Sequence, residues 1–228
     1  MVLFTLRYVI QNARVDQMKL KSTIPAVVLA FAFSGGASAA LINATGSGAI
    51  VAAPTSVLDD AADCTLAGNG CVMLGFDEQQ GVSLGSALSV DGGGTIAAGT
   101  LVNSHMIFLN TPGTTRNESN ATWFFDGIVL GVMSDRNGSL EAASNGELGA
   151  SGTTYYGGTF GNRGFENSED WYSGIGSSML EVNMLVTEPG DWIRVVTAVN
   201  VPEPGTLALM GTGLLGLFGF RRNRNQSH

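Results

Sequence analysis

Between residues 71 and 199, apolar positions come in short runs rich in β-branched and aromatic side chains. Turn dipeptides break these runs at Asn69-Gly70, Asp91-Gly92, Pro112-Gly113, Asp126-Gly127, Asn137-Gly138, Asn145-Gly146, Gly157-Gly158 and Pro189-Gly190. Short runs bounded by such turns predict strands, because a strand shows alternate residues to opposite faces. Strands are expected over residues 71–76, 82–90, 101–109, 121–125, 128–133, 153–160, 179–186 and 191–199. Leu180, Glu181, Val182, Asn183 and Met184 alternate cleanly, and Arg194 and Thr197 stand among apolar neighbours in the last run. Before residue 205 nothing sustains a helical stripe. The expected fold class is all-β, an antiparallel sandwich or jelly roll. Trp123 and Trp192, set in apolar strands, are expected in its core.

Two other apolar segments differ in kind. Residues 24–33 follow the basic Met18-Lys19-Leu20-Lys21 and precede Ala37-Ser38-Ala39. A charged start, an apolar middle and a small-residue end make a secretory signal peptide, cut by signal peptidase before Ala40. Residues 1–17 add nothing to that signal and are expected to be an upstream extension, with translation starting at Met18; the alternative is a long n-region. The second segment, residues 205–220, carries no charge over 16 positions. A spanning helix usually needs about 20 apolar residues, but flanking arginines can snorkel and let a shorter one cross. Arg221, Arg222 and Arg224 are expected to stay on the cytoplasmic side. Everything before Pro202 then lies outside the cytoplasm. Pro202-Glu203-Pro204 forms a stiff, extended strip next to the membrane, since each proline fixes its own backbone and extends the residue before it.

Val201-Pro202-Glu203-Pro204, the apolar run and the arginine cluster together resemble the PEP-CTERM domain of exported bacterial proteins. The resemblance covers about 28 of 228 residues. It implies recognition and cleavage of the tail by an exosortase, a membrane-embedded, cysteine transpeptidase-like enzyme. Its hosts are mostly Gram-negative bacteria that make extracellular polysaccharide. It also implies a transient inner-membrane anchor, then a place at the cell surface or in the medium. Residues 123–133 and 190–197 are similar to ectodomains of other proteins with this tail, a likeness that brings no activity with it. The expected organisation is an extension and signal peptide over 1–39, an extracellular β domain over 40–200 and a sorting and anchor tail over 201–228.

Charge narrows the function classes. The segment 40–200 holds 17 acids against Arg116, Arg136, Arg163 and Arg194, a net charge of −13 with no lysine. Such a surface repels nucleic acid and anionic lipid and suits a soluble extracellular protein. Cys64 and Cys71 enclose a turn-rich hexapeptide, and export favours a local disulfide between them. Two acidic groups, Asp59, Asp60 and Asp63, and Glu166, Glu169 and Asp170, raise a calcium expectation, because calcium takes oxygen ligands from irregular loops. The competing reading is plain surface charge. No other cofactor is expected.

Enzyme chemistry finds little support in the chain. Gly81-Val82-Ser83-Leu84-Gly85 fits the G-x-S-x-G nucleophile elbow, but no helix is expected after it. His105 lies in a strand and reads as a packed or hydrogen-bonded residue. Trp171-Tyr172 and Tyr155-Tyr156, beside acids and asparagines, are the aromatic faces a sugar would use. The expected role is structural or adhesive in an extracellular polysaccharide matrix, with no enzymatic activity. The alternative is a carbohydrate-binding module assisted by calcium.

Overall fold

The computed structural model describes residues 40–58, 71–158, 161–187 and 190–200. The signal segment with Ala37 and Ala39, the acids Asp59, Asp60 and Asp63, Cys64, and the tail with Pro202, Glu203, Pro204, Arg221, Arg222 and Arg224 lie outside them. Among the described residues no helix is long and apolar enough to cross a membrane.

The described chain is predominantly β. Its strands are β1 (Leu41–Gly46), β2 (Gly48–Ile50), β3 (Met73–Asp77), β4 (Val82–Ser83), β5 (Leu88–Val90), β6 (Gly94–Ile96), β7 (Leu101–Leu109), β8 (Asn117–Phe125) and β9 (Val129–Met133). After the helix α1 (Ser139–Leu148) come β10 (Trp171–Ser173), β11 (Met179–Val186) and β12 (Asp191–Ala198). One sheet is antiparallel, in the order β1-β8-β11-β10. The larger one runs β2-β3-β7-β12-β9, with β4 also pairing β7. It is mixed, because β2 lies parallel to β3. That corrects the purely antiparallel expectation. β5 and β6 form a separate hairpin.

Both larger sheets feed one apolar cluster, which holds Trp123 and Phe125 of β8, Val182 and Met184 of β11, Ile107 of β7 and Val195 of β12. Alternation explains why β7 and β12 are buried along nearly their whole length. Ile107 and Ile193 face the shared cluster, whereas Met106, Phe108 and Trp192 build a second cluster on the other side. These are central strands covered on both faces, so apolar residues occur on both sides of each. Trp123 is fully buried and lies against β3, where Gly75 makes room for it. A Cβ on Gly75 would come within 2.5 Å of the indole ring.

Several expectations need correction. The run 82–90 is two short strands, β4 and β5. Residues 153–160 form no strand among the described positions, only a bridge from Thr154 to Ser56. Asn145-Gly146 is no turn, since it lies inside α1. Asn137-Gly138 does turn, with Gly138 at φ 62 at the helix start.

Candidate functional site

Residues 161–170 lead into β10, and backbone bonds pin this loop at both sides. Trp192 N–H donates to the Arg163 carbonyl at 3.0 Å, and Phe165 N–H to the Ser134 carbonyl at 2.9 Å. Phe165 then packs on the shared apolar cluster. The loop closes around Asp170. Its Oδ2 accepts from Glu166 N–H at 3.2 Å and Asn167 N–H at 2.8 Å, and its Oδ1 accepts from Leu185 N–H at 2.8 Å. This local structure brings Glu166 and Asp170 together. Asp191, the first residue of β12, joins them. It pairs with Leu109 of the shared cluster, so its side chain points to the same side of the sheet, and it is 1% exposed.

One carboxylate oxygen from each of Glu166, Asp170 and Asp191 lies within 4.8 Å of the others. Both oxygens of Asp191 and Oε2 of Glu166 are buried with no hydrogen-bond partner. Burial pushes the Asp191 carboxyl up to about 10, and the charges of Asp170 and Glu166 add to the rise. Glu166 is raised for the same reasons, burial first and Asp170 next. A protonated Asp191 can donate to Glu166; an ionised one has nothing to accept from. Glu169 stays outside the group. Its carboxylate accepts from the Ser168 hydroxyl at 2.9 Å at the surface. Asp191 escapes a reading of the sequence because it opens an apolar strand 21 positions after Asp170, and only the tertiary fold brings the two together.

A second group of polar residues lies inside the larger sheet. His105 Nδ1 is 2.7 Å from Asp77 Oδ1, and its Nε2 is 3.1 Å from the Thr197 hydroxyl. Burial alone would raise the Asp77 carboxyl, but hydrogen bonds from His105 and Leu41 N–H outweigh it and hold the group below its ordinary value. An acid, an imidazole and a hydroxyl in a row match the order of a nucleophile relay. Here His105 and Thr197 are fully buried, and the ring lies 4.9 Å from that of Phe125. No substrate reaches such a hydroxyl, and the relay serves to join β3, β7 and β12. Ser83 is exposed on β4, and the chain continues to β5 instead of entering the helix a nucleophile elbow requires.

Arg194 and Arg163 are buried with Glu78 and Glu141. Arg194 donates to both oxygens of Glu78 at 2.7 Å, a bidentate pair. Its remaining donors reach the Glu141 carbonyl, Ser144 Oγ and Asn145 Oδ1 of α1. Arg163 contacts the Glu141 carboxylate. Tyr155, one of the aromatics considered for sugar binding, is used here instead, with the Arg194 guanidinium 5.5 Å from its ring and its hydroxyl accepting from Ala150 N–H.

Trp171 is 40% exposed on the edge strand β10. Its register partner is Asn183, whose own partner on β8 is Asn120, so the three side chains form a row on the outer face of the four-stranded sheet. The next row holds Ser173, Glu181 and Thr122. Tyr172 turns inward to the shared cluster, and its hydroxyl donates to Asp91 at 3.2 Å. Burial and the Asp91 charge push that phenol up to about 12. The aromatic pair therefore divides, with one ring on the surface and one in the core.

Residues 200–224 match the PEP-CTERM protein-sorting motif. No curated protein and no solved structure matches the chain. The motif implies export, a route to the membrane or cell surface, and processing by an exosortase.

Proposed function

From the sorting motif we propose that this chain is a structural or adhesive protein of an extracellular polysaccharide matrix. In this reading signal peptidase cuts before Ala40, residues 205–220 span the inner membrane briefly, and Arg221, Arg222 and Arg224 remain inside the cell. The β domain, a two-layer sandwich, faces outward and carries no catalytic activity. A Cys64–Cys71 disulfide would close the loop ahead of β3; support comes from Cys71, which is buried and not free.

A second reading, a carbohydrate-binding module, is favoured by one observation. The row sets the exposed indole of Trp171 in line with the exposed amide of Asn120, across Asn183, whose buried amide is held by Glu118 and the Glu169 carbonyl. Aromatic faces take the apolar face of a sugar ring, and amides take its hydroxyls. Retention of the exported full chain on polysaccharide from its native host tests this. The expected result is specific retention that Trp171→Ala abolishes without changing the melting temperature. Equal retention of both proteins would leave the structural role and remove the sugar-binding face.

A further inference from the structure

Among the described residues, the buried charged side chains face an opposite charge with one exception. Glu78 and Glu141 face Arg194 and Arg163, and Asp77 faces His105. Among the described residues no ion pair reaches Glu166, Asp170 or Asp191. Both Asp191 oxygens and Glu166 Oε2 are buried acceptors without a donor. A carboxylate offers only acceptors, so ionised carboxylates cannot satisfy one another. With all three ionised, the cluster would be an unpartnered buried charge, among the costliest arrangements a fold can hold.

The donor set defines what would fill the gap. It consists of oxygen alone, with no nitrogen or sulfur, which selects a hard cation. The three ligand atoms lie within 4.8 Å of one another. That places all three inside the span of one calcium coordination shell, whose oxygens lie ~2.3–2.6 Å from the ion, and irregular loops such as this one suit calcium's flexible geometry. The loop is already shaped by the three backbone donors that hold Asp170. We propose that Glu166, Asp170 and Asp191 bind one calcium ion, which ties the 161–170 loop to the start of β12. Water completes the shell, as is usual for calcium. Trp171 follows Asp170 directly, so the ion also fixes the edge strand that presents this ring. The site stands independently of sugar binding, and a failed polysaccharide assay leaves it intact.

The test uses the purified full chain stripped with chelator. Calcium is added in a calorimetric titration, and terbium luminescence is excited through tryptophan, with Trp171 beside the site as the sensitiser. One saturable site per chain is expected, with affinity in the submillimolar to millimolar range typical of extracellular modules. Calcium should raise the melting temperature by several degrees, since a ligand of the native state stabilises it. Asn is nearly the shape of a protonated Asp. Asp191→Asn should therefore melt at or above the wild type in chelator, yet lose the calcium response and the terbium signal. Glu166→Gln carries the same expectation if the first variant does not fold. Glu169→Gln is the control and should bind as the wild type does. No saturable calcium binding by the wild type up to about 10 mM, above the millimolar range of extracellular modules, would overturn the proposal. So would equal losses from Glu169→Gln and Glu166→Gln, which would mark general surface charge.

Discussion

Arg194 shows at the scale of one residue how this fold uses charge. It is fully buried and donates to Glu78, Glu141, Ser144 and Asn145, four groups from β3's following loop and from α1. Burial acts against its positive charge, but Glu78 and Glu141 more than offset this, and its guanidinium is held above the ordinary range. Removing one partner of a buried pair leaves the other uncompensated, which costs about 3–5 kcal/mol. Arg194→Met should lose stability of that order in urea unfolding, while Arg194→Met with Glu78→Leu should recover a large part of it. A loss below about 1 kcal/mol in the single variant would show that the pair is not held as described. Part of this was legible in the sequence. Arg194 stands among apolar neighbours in the last run, but its burial could not be read from that. Its partners were not legible either, because Glu78 and Glu141 look like ordinary loop acids until the fold surrounds them. Asp191 was hidden in the same way, as the polar start of a strand.

The elements were legible where alternation or continuous apolarity carried them. The long strands β7, β11 and β12 were expected within a residue or two of where they lie. The short ones were harder to see. β2, β6 and β10 have three residues each, too few for a period to appear. The helix α1 escaped for a different reason. Its buried positions are Glu141, Ser144 and Leu148, a helical spacing filled mostly by polar residues. Glu141 and Ser144 face Arg163 and Arg194 while Leu148 joins an apolar cluster, so the stripe exists but is mostly not apolar. With so little apolar surface to hold it, the helix depends on its start. Asp135 accepts from Ser139 N–H at 2.9 Å, from Leu140 N–H at 2.8 Å and from the Ser139 hydroxyl. Burial would raise this carboxyl, but these donors outweigh it and hold it below its ordinary value. A depressed carboxyl contributes stability above its unfolded pKa of about 3.9, and the contribution is lost as pH falls through the folded value. Asp135→Ala should therefore cost about 1–2 kcal/mol at pH 7. The gap between variant and wild type should narrow in denaturant melts as pH falls below the unfolded value of about 3.9. A gap that persists unchanged at pH 2.5 would mean the carboxylate is not what holds the helix start.

At the scale of the whole molecule, two separate instructions lie in one chain. The β domain is strongly acidic, and burial of Arg163 and Arg194 leaves Arg116 and Arg136 as the exposed cations among the described residues. Such a surface repels anionic lipid. The sorting motif lies in the tail, at residues 200–224. The tail combines a rigid strip, an apolar run of 16 residues and three arginines. Each part has a distinct physical task. On the proposed reading, the prolines would stiffen the backbone around Glu203, the apolar run would enter the bilayer, and the arginines would resist translocation and halt the chain. Glu203 is what separates this strip from any proline-rich linker. Glu203→Ala should leave the melting temperature of the β domain unchanged, because the residue lies outside the β domain. It should also leave full-length protein in the membrane fraction of the native host, where the wild type appears shortened. Deleting Arg221, Arg222 and Arg224 should act differently, letting some chains pass into the medium uncut, since the stop is lost while the strip remains. Immunoblots of membrane and medium fractions, with mass spectrometry of the released C-terminus, separate the two effects. Normal release of the Glu203→Ala protein would mean that processing does not read the charge between the prolines, and the division of tasks within the tail would have to be redrawn around the apolar run and the arginines alone.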